Sequence, residues 1–210
     1  MFQQTILAVI NLSHTVSSAG RDISCLQLSS PVICSLCAVA MEGNSKHVIR
    51  ELKRSHKSDK LRELGITVDL LDDQDVSKWL VVYPAQAFGE HPLSSDLKKH
   101  SKRSAIEVQF LFTQRGFQDP PFVWVVGPRF QFHTGHVTIG GSICTEILTP
   151  QGWDPQQSAE GLVLYIFNLF MQGEGRLELT RSAQIPRPLD DYNYQEAMGT
   201  FRRVASQHQW

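Results

Sequence analysis

One cysteine stands in a sequence setting that suits a nucleophile. Cys144 follows the segment Gly140-Gly141-Ser142-Ile143 and precedes an apolar run that ends at Leu148. A glycine pair predicts a tight turn, so the thiol should lie on a supported surface ledge rather than in the middle of the core. The alternative is that Cys144 acts as a small buried hydrophobe, which is the commoner role of a free cysteine.

The remaining cysteines, Cys25, Cys34 and Cys37, lie near the N-terminus. Four cysteines in 210 residues are too sparse for a disulfide scaffold, which favours a reducing compartment. Cys34 and Cys37 form a C-x-x-C pair, and a zinc site that adds Cys25 and His14 can be drawn. The second pair of ligands lacks a recognisable spacing, so we do not expect a metal there.

Composition gives no indication of a nucleic-acid or membrane partner. The formal net charge is -1 at pH 7, so no general basic field is present. No apolar run approaches the length of a membrane span, and the N-terminus lacks the basic start of a secretory signal. We expect a cytoplasmic or nuclear protein in which residues 1–42 are a weakly structured extension and residues 43–210 form one domain.

A helix with a basic outer face is predicted at the start of this domain. Asn44 or Ser45 offers a cap, apolar residues then recur at helical spacing, and Gly65 offers a stop. The outward positions of this helix carry lysine and arginine side chains. A charged face of this kind is ordinarily only solvated surface.

Four strands are predicted after this helix. Residues 66–71 and 79–83 have the pattern of a hairpin, residues 106–112 of a third strand and residues 122–126 of a fourth, with a loop over residues 84–104. Sequential strands with short links favour an antiparallel meander, because parallel neighbours need helical crossovers.

Helices are predicted for the C-terminal part of the chain. Ser158 caps a strongly apolar helix that ends at Gly173, and residues 194–210 form a final helix. The predicted order is therefore one helix, a four-stranded meander, an irregular cysteine-bearing segment and two or more helices. This order is an α+β layout with the helices on one side of the sheet.

Motifs around the fourth strand and Cys144 point to one protein family. They are Pro120-Pro121-Phe122, Gly127-Pro128-Arg129 and Gly140-Gly141-Ser142-Ile143-Cys144-Thr145-Glu146-Ile147-Leu148-Thr149-Pro150-Gln151-Gly152-Trp153. In these motifs and in the order of its elements, the chain resembles the ubiquitin-conjugating enzymes, and in particular their Q-type branch. The resemblance covers about residues 44–210 and is much more specific than a lone motif.

The resemblance implies a cysteine transferase. Cys144 would attack the thioester of ubiquitin, or of a ubiquitin-like protein, on the activating enzyme, and a substrate amine or hydroxyl would later attack the thioester held on Cys144. The partners so implied are the modifier, the activating enzyme and a ubiquitin ligase. Neither a metal nor a small cofactor is needed.

One departure from the family lies upstream of the cysteine. Most members carry an asparagine eight residues before it, whereas this chain has His136 at that position. The imidazole could donate a hydrogen bond to an oxyanion or lower the pKa of a neighbouring thiol, or it could only support the loop. Nothing in the sequence gives His133 preference over it.

The resemblance also implies partner contacts. The first helix docks the activating enzyme, and the turn before Pro120-Pro121 and the loop after the cysteine contact ligases. The corresponding residues here are Lys46, Arg50, Lys53, Arg54, Phe117, Gln118, Trp153 and Asp154. Phe117 does not align cleanly with the exposed phenylalanine of the family.

Alternatives remain open at this point. A catalytically silent relative that binds ubiquitin or a partner enzyme is the main alternative; the presence of Cys144 argues against it, and the missing asparagine argues for it. A cysteine hydrolase with His136 or His133 as its base is a further hypothesis, but no third orienting residue has a recognisable motif.

Overall fold

The first helical region consists of two helices. The computed structural model describes residues 31–100, 102–179 and 191–208, with side chains from residue 43 onward. Helix α1 spans Pro31–Ser55, and helix α2 spans Asp59–Leu64. The Ser58 hydroxyl caps α2 by accepting a hydrogen bond from the Leu61 amide, and Gly65, at φ 69°, ends it as predicted.

The start of α1 differs from the prediction. Asn44 and Ser45 lie inside the helix rather than at its cap, because the helical hydrogen bonding already begins at Pro31, and a proline is tolerated in the first turn. The helix therefore runs through residue 42, and the division of the chain at that point stays a prediction. The zinc hypothesis falls on Cys25, Cys34, Cys37 and His14, whose side chains lie outside the described part of the chain.

A four-stranded antiparallel sheet forms the centre of the described fold. Its strands are β1 Thr67–Leu70, β2 Lys78–Pro84, β3 Ala105–Leu111 and β4 Phe122–Gly127. They pair in chain order, with Trp79 opposite Phe110 and Val81 opposite Val108. All of these side chains are buried on one face, which confirms the predicted meander.

A third helix replaces part of the predicted loop over residues 84–104. Helix α3 spans Pro92–Lys99, and its first turn begins at a proline preceded by His91, whose ring accepts from the Leu93 amide. The loop prediction was wrong because it rested on the prolines as breakers, whereas Pro92 occupies the first helical turn, where a proline is favoured. Asp96 of α3 forms a two-point ion pair with Arg176.

Helix α4 covers the inner face of the sheet. It spans Ala159–Gln172, and the Ser158 hydroxyl caps it as predicted by accepting from the Gly161 amide. Leu162, Ile166 and Phe170 are fully buried against the inner residues of β2, β3 and β4. Burial of apolar surface on this scale makes this face the main core of the domain.

The final helix lies on the other face of the sheet. Helix α5 spans Tyr194–His208. The Phe122 ring of β4 contacts Tyr194 and Phe201 of α5, and the Trp124 ring also contacts Tyr194. Phe122 and Trp124 alternate along β4 with core residues and so point away from α4. The expectation that all helices lie on one side is therefore wrong, because β4 is apolar on both faces.

Within the described ranges, no helix combines the length with the apolar composition that a membrane span requires.

Candidate active site

Cys144 lies at the end of a short hairpin that extends the sheet. Ile143 pairs with Val137 across the hairpin, and its amide donates to the Val123 carbonyl of β4 at 3.1 Å. The Cys144 amide donates to the His136 carbonyl at 2.9 Å. The cysteine is thus held by its main chain directly opposite His136, on a half-buried ledge, as the sequence predicts.

The glycine pair before the cysteine serves close packing as well as the turn. A Cβ on Gly140 would lie 2.2 Å from the Thr200 hydroxyl oxygen and 2.4 Å from the Glu196 carbonyl oxygen, both on α5. Gly141 has a φ of 95°, and a Cβ there would lie 2.6 Å from the Tyr192 ring. Only glycine lets the hairpin approach the α5 region this closely.

Hydroxyl groups join the same hairpin to α5. The Thr138 and Ser142 hydroxyls lie 2.7 Å apart, and Thr138 donates to the Thr200 hydroxyl at 3.3 Å. Thr200 in turn donates to the Glu196 carbonyl at 2.9 Å. This chain of donors and acceptors runs in one direction, from the cysteine hairpin into the helix.

A cavity of about 540 Å³ opens beside Cys144, between the hairpin and α5. Besides Cys144, its lining consists of Phe132, His133, His136, Val137, Thr138, Ile139, Gly173, Thr200, Arg203, Val204, Gln207 and His208. The helix therefore forms one wall of the cavity and the segment around His136 forms the other. The lining described here carries imidazole, guanidinium, amide and hydroxyl groups but no carboxylate.

The thiol itself is not activated in this structure. Burial raises the pKa of the Cys144 thiol above its ordinary value, because the thiolate loses solvation there. No side chain within the described residues forms a hydrogen bond with its sulfur atom. At neutral pH the thiol form therefore predominates.

The two histidines near the cysteine line the same cavity. His136 has a φ of 56°, and its ring is exposed and packs beside Gly173, at the end of α4. No hydrogen bond to the His136 ring occurs in the described part of the chain, so its ring nitrogens are available to a ligand. His133 also has a positive φ, of 61°, and its ring packs against Phe132 at 3.7 Å between centroids.

Arg129 fixes the start of α5. Its guanidinium forms a two-point ion pair with Glu196 at 3.0 and 2.9 Å and lies 4.3 Å from the centroid of the Tyr192 ring. The Tyr192 hydroxyl accepts a hydrogen bond from the Phe130 amide at 3.0 Å. Arg129 belongs to the Gly127-Pro128-Arg129 motif, so this motif holds the helix that walls the cavity.

The basic face predicted for α1 is present. Lys46, Arg50, Lys53 and Arg54 are all exposed. Arg54 also pairs with Glu51, a buried carboxylate whose second oxygen accepts from the Ala159 amide at the start of α4. The buried acid thus joins α1 to α4 while the cations face solvent.

The predicted ligase contacts divide into buried and exposed residues. Phe117 is 1% exposed and packs on Phe112 and Trp153, and the Trp153 indole donates to the Phe117 carbonyl at 2.9 Å. These two side chains hold the loops together from within. Gln118 and Asp154 are exposed beside them and offer the accessible groups at this end.

Other residues of the site were missed in the sequence. Thr200, Arg203 and Val204 of α5 lie about 60 residues beyond Cys144 and carry no motif. Arg129 was noted only as part of a motif. No group of three or more metal-binding side chains suited to a metal ion occurs among the described residues.

Comparisons with known proteins give relatives with consistent names. The chain is 30% identical over 133 residues to ubiquitin-conjugating enzyme E2 25 of Caenorhabditis elegans. The matched stretch is 62% of this chain and 34% of that protein. It is 25% identical over 155 residues to a human ubiquitin-conjugating enzyme Q-like protein, over 71% of this chain and 88% of the relative. A Q-like relative in Drosophila melanogaster is 25% identical over 79% of this chain and 51% of that protein.

The chain thus spans about a third of the nematode relative and about half of the fly relative, 34% and 51% of their lengths. No protein-family model matches it. Among solved structures, human ubiquitin-conjugating enzyme E2 G1 has a TM-score of 0.48 and 18% identity over 60% of this chain and 93% of that one. These curated relatives all carry the name of ubiquitin-conjugating enzymes, and two of them are named as Q-like, so the chain is similar in sequence to that family and to its Q-type branch.

Proposed function

We propose that the protein is a ubiquitin-conjugating enzyme that accepts ubiquitin, or a ubiquitin-like protein, as a thioester on Cys144. It then passes the modifier to a substrate together with a ligase. The observation that carries this proposal is the cysteine held on a half-buried ledge, opposite His136 and beside an open cavity. An accessible cavity beside the thiol is what a nucleophile that meets another protein requires, whereas a cysteine that serves only as a small hydrophobe needs none.

The unactivated thiol fits a carrier better than a hydrolase. A thioester carrier receives an acyl group that is already activated, so its cysteine needs access and positioning more than a permanent base. A hydrolase needs a histidine in hydrogen-bond contact with the thiol and a third group that orients the histidine. The described residues contain no such contact to Cys144.

His136 is proposed to act during transfer. The new bond forms between the substrate amine or hydroxyl and the thioester carbonyl, whose oxygen becomes negatively charged in the tetrahedral intermediate. Collapse of the intermediate expels the Cys144 thiolate and releases the modified substrate. An exposed imidazole N–H with no partner among the described residues can donate to that oxygen, in the role that the asparagine has in most of the family.

Partner docking is proposed at the end of the domain formed by α1 and the two neighbouring loops. The exposed cations Lys46, Arg50 and Lys53 would face an acidic surface of the activating enzyme, and charge would raise the association rate more than the affinity. Gln118 and Asp154 would contact the ligase, over the buried pair Phe117 and Trp153. We place this activity in the cytoplasm or nucleus.

A second candidate function is a silent module that binds ubiquitin or a partner enzyme without carrying the modifier. Two observations favour it, the absence of the asparagine and the raised pKa of the Cys144 thiol. A module of this kind would keep the α1 face but would form no covalent adduct.

A charging assay separates these functions. The chain is incubated with activating enzyme, ATP and ubiquitin and run on a non-reducing gel, with Cys144→Ser and His136→Ala alongside. We expect a thiol-sensitive adduct with the native chain and none with Cys144→Ser. His136→Ala should charge normally and discharge onto amines about 100-fold more slowly, the usual loss when one oxyanion donor is removed.

The controls fix the meaning of each outcome. The same activating enzyme must charge another conjugating enzyme, so that a missing adduct is informative. Absence of an adduct under these conditions would refute the carrier and support the silent module. His136→Asn should restore discharge if donation of a hydrogen bond is what the position supplies.

A further inference from the structure

The cavity beside Cys144 has a cationic wall. Arg203 lies on α5, lines the cavity and is exposed. No hydrogen bond or ion pair engages its guanidinium among the described residues, in contrast to Arg129 at the other end of the same helix. Since the described lining has no carboxylate, the positive charge of Arg203 is not balanced within the cavity.

The opposite rim of the cavity carries exposed apolar side chains. Phe132 is 57% exposed and Ile139 is 39% exposed, which makes them two of the few large hydrophobic side chains that the described structure leaves at the surface. Val204 of α5 faces the same space. Exposed apolar residues that gather at one cavity indicate a binding surface rather than scattered surface hydrophobes.

The cationic wall is held in place rather than mobile on its own. Three residues fix this helix. Glu196 forms the ion pair with Arg129, Ala197 is completely buried, and Thr200 accepts a hydrogen bond from the Thr138 hydroxyl. Arg203 follows Thr200 by one helical turn. A cation on a fixed helix can select a charge at a defined place, because less side-chain and helix entropy is lost on binding.

We infer that this cavity receives the acceptor segment of the substrate, and that Arg203 selects an acidic side chain close to the group that is modified. The inference rests on the proposed function. Charge complementarity favours this occupant, since an acidic side chain would pair with Arg203 while apolar neighbours cover Phe132 and Ile139. The tail of the modifier is the other possible occupant, and the assays below separate the two.

The test measures discharge of the charged enzyme onto matched peptides. Each peptide has one lysine, one test residue and apolar residues elsewhere. The test residue is aspartate or, in the matched peptide, asparagine, and its position is varied along both sides of the lysine. At low salt we expect the best aspartate peptide to react about threefold faster than its asparagine match, the scale of one partly exposed ion pair. The difference should shrink as salt screens the pair.

Two substitutions on α5 assign the effect. Arg203→Glu should abolish the preference for aspartate and create a preference for a lysine or arginine at the same peptide position. Arg202→Glu makes the same change of charge at the neighbouring exposed position, which does not line the cavity, and should keep the native preference. Equal discharge onto both peptides, or an effect of Arg203→Glu on charging alone, would overturn the inference.

A second measurement works without ubiquitin. In the same peptides, a thiol linked through a disulfide replaces the lysine side chain. The Cys144 thiol exchanges with this disulfide and forms a mixed disulfide with the peptide. Mass spectrometry of the fragment that contains Cys144 then gives the fraction of the protein captured at equilibrium. A roughly threefold preference for aspartate that is lost in Arg203→Glu supports the acidic-segment site even if the chain fails to charge. If charging succeeds but neither assay shows the preference, the inference fails and the proposed function stands.

Discussion

The two faces of the sheet are covered by helices that are held in different ways. Helix α4 packs on the inner face through fully buried apolar side chains such as Leu162, Ile166 and Phe170. Helix α5 contacts the outer face through aromatic rings and is held in addition by an ion pair, a hydroxyl chain and contact with a glycine turn. Apolar packing is strong and non-directional, whereas the polar contacts fix α5 in one position.

This difference has a consequence for the candidate site. The inner face contains most of the buried apolar side chains, while the helix on the outer face forms a wall of the cavity beside Cys144. Truncation of the buried apolar side chains of α4 should therefore lower the stability of the domain most. Changes on the α5 side should alter the cysteine with smaller effects on global stability.

The largest effect is expected on the α4 side. Phe170→Ala removes a side chain that is 0% exposed and should lower the free energy of unfolding by about 3–5 kcal/mol, through lost burial and the cavity left behind. Urea denaturation followed by tryptophan fluorescence measures this change. Asn168→Ala, on the exposed side of the same helix, should stay within about 0.5 kcal/mol of the native chain, and an equal loss there would contradict the account of the core.

A smaller loss is expected from Gly140→Ala on the α5 side. The new methyl group would overlap Thr200 and the Glu196 carbonyl, so α5 must shift, at a cost of about 1–3 kcal/mol. Alkylation of Cys144, followed by mass spectrometry of its fragment, should become faster because the wall opens. Gly199→Ala provides a matched control, since a Cβ there meets open space and alanine favours the helix.

The ion pair at the start of α5 should contribute less. Arg129 and Glu196 are only 13% and 16% exposed, so Arg129→Met leaves a poorly solvated carboxylate and should cost about 1–2 kcal/mol. Glu196→Gln and the double variant complete a cycle that isolates the coupling between the two residues. The more exposed pair Arg115–Asp119, at 69% and 28%, is the comparison, and Arg115→Met should cost less than about 0.5 kcal/mol. Equal costs at the two sites would show that burial of the Arg129 pair is unimportant.

The last expected effect is on the reactivity of Cys144 as a function of pH. Because burial raises the pKa of the Cys144 thiol, its thiolate forms at higher pH than that of a free cysteine. The alkylation rate at Cys144 should therefore keep rising with pH after a free cysteine has reached its plateau. In Gly140→Ala the profile should move toward lower pH, since an opened wall returns solvent to the thiolate. A native profile that matches free cysteine would refute the burial of the thiol.

Much of the fold could be predicted because its signals are local. The strands of the meander, the Ser158 cap and the Gly65 stop follow from alternation, capping chemistry and left-handed glycine geometry within a few residues. The errors arose where one signal has two meanings. Pro92 was interpreted as a breaker but starts α3, and the apolar β4 was assigned one covered face although both faces are covered.

The candidate site shows the same division. The cysteine was visible in the sequence because the family motif is contiguous there, and His136 was identified by its position eight residues before the cysteine. Phe117 was named as a candidate ligase contact, and its burial under Trp153 depends on where the loop after the cysteine packs. Sequence spacing alone cannot report such a contact between distant loops.

The sequence by itself determined the nucleophile candidate, the family motifs and the order of the elements, since these depend on residue type and short-range pattern. Only the tertiary structure decided that α5 forms a wall beside Cys144, that Arg129 holds this helix through Glu196, and that Arg203 faces the cavity. Arg129 and Glu196 are separated by 67 residues. Contacts over such separations are selected by the packing of whole faces, and no local pattern encodes them.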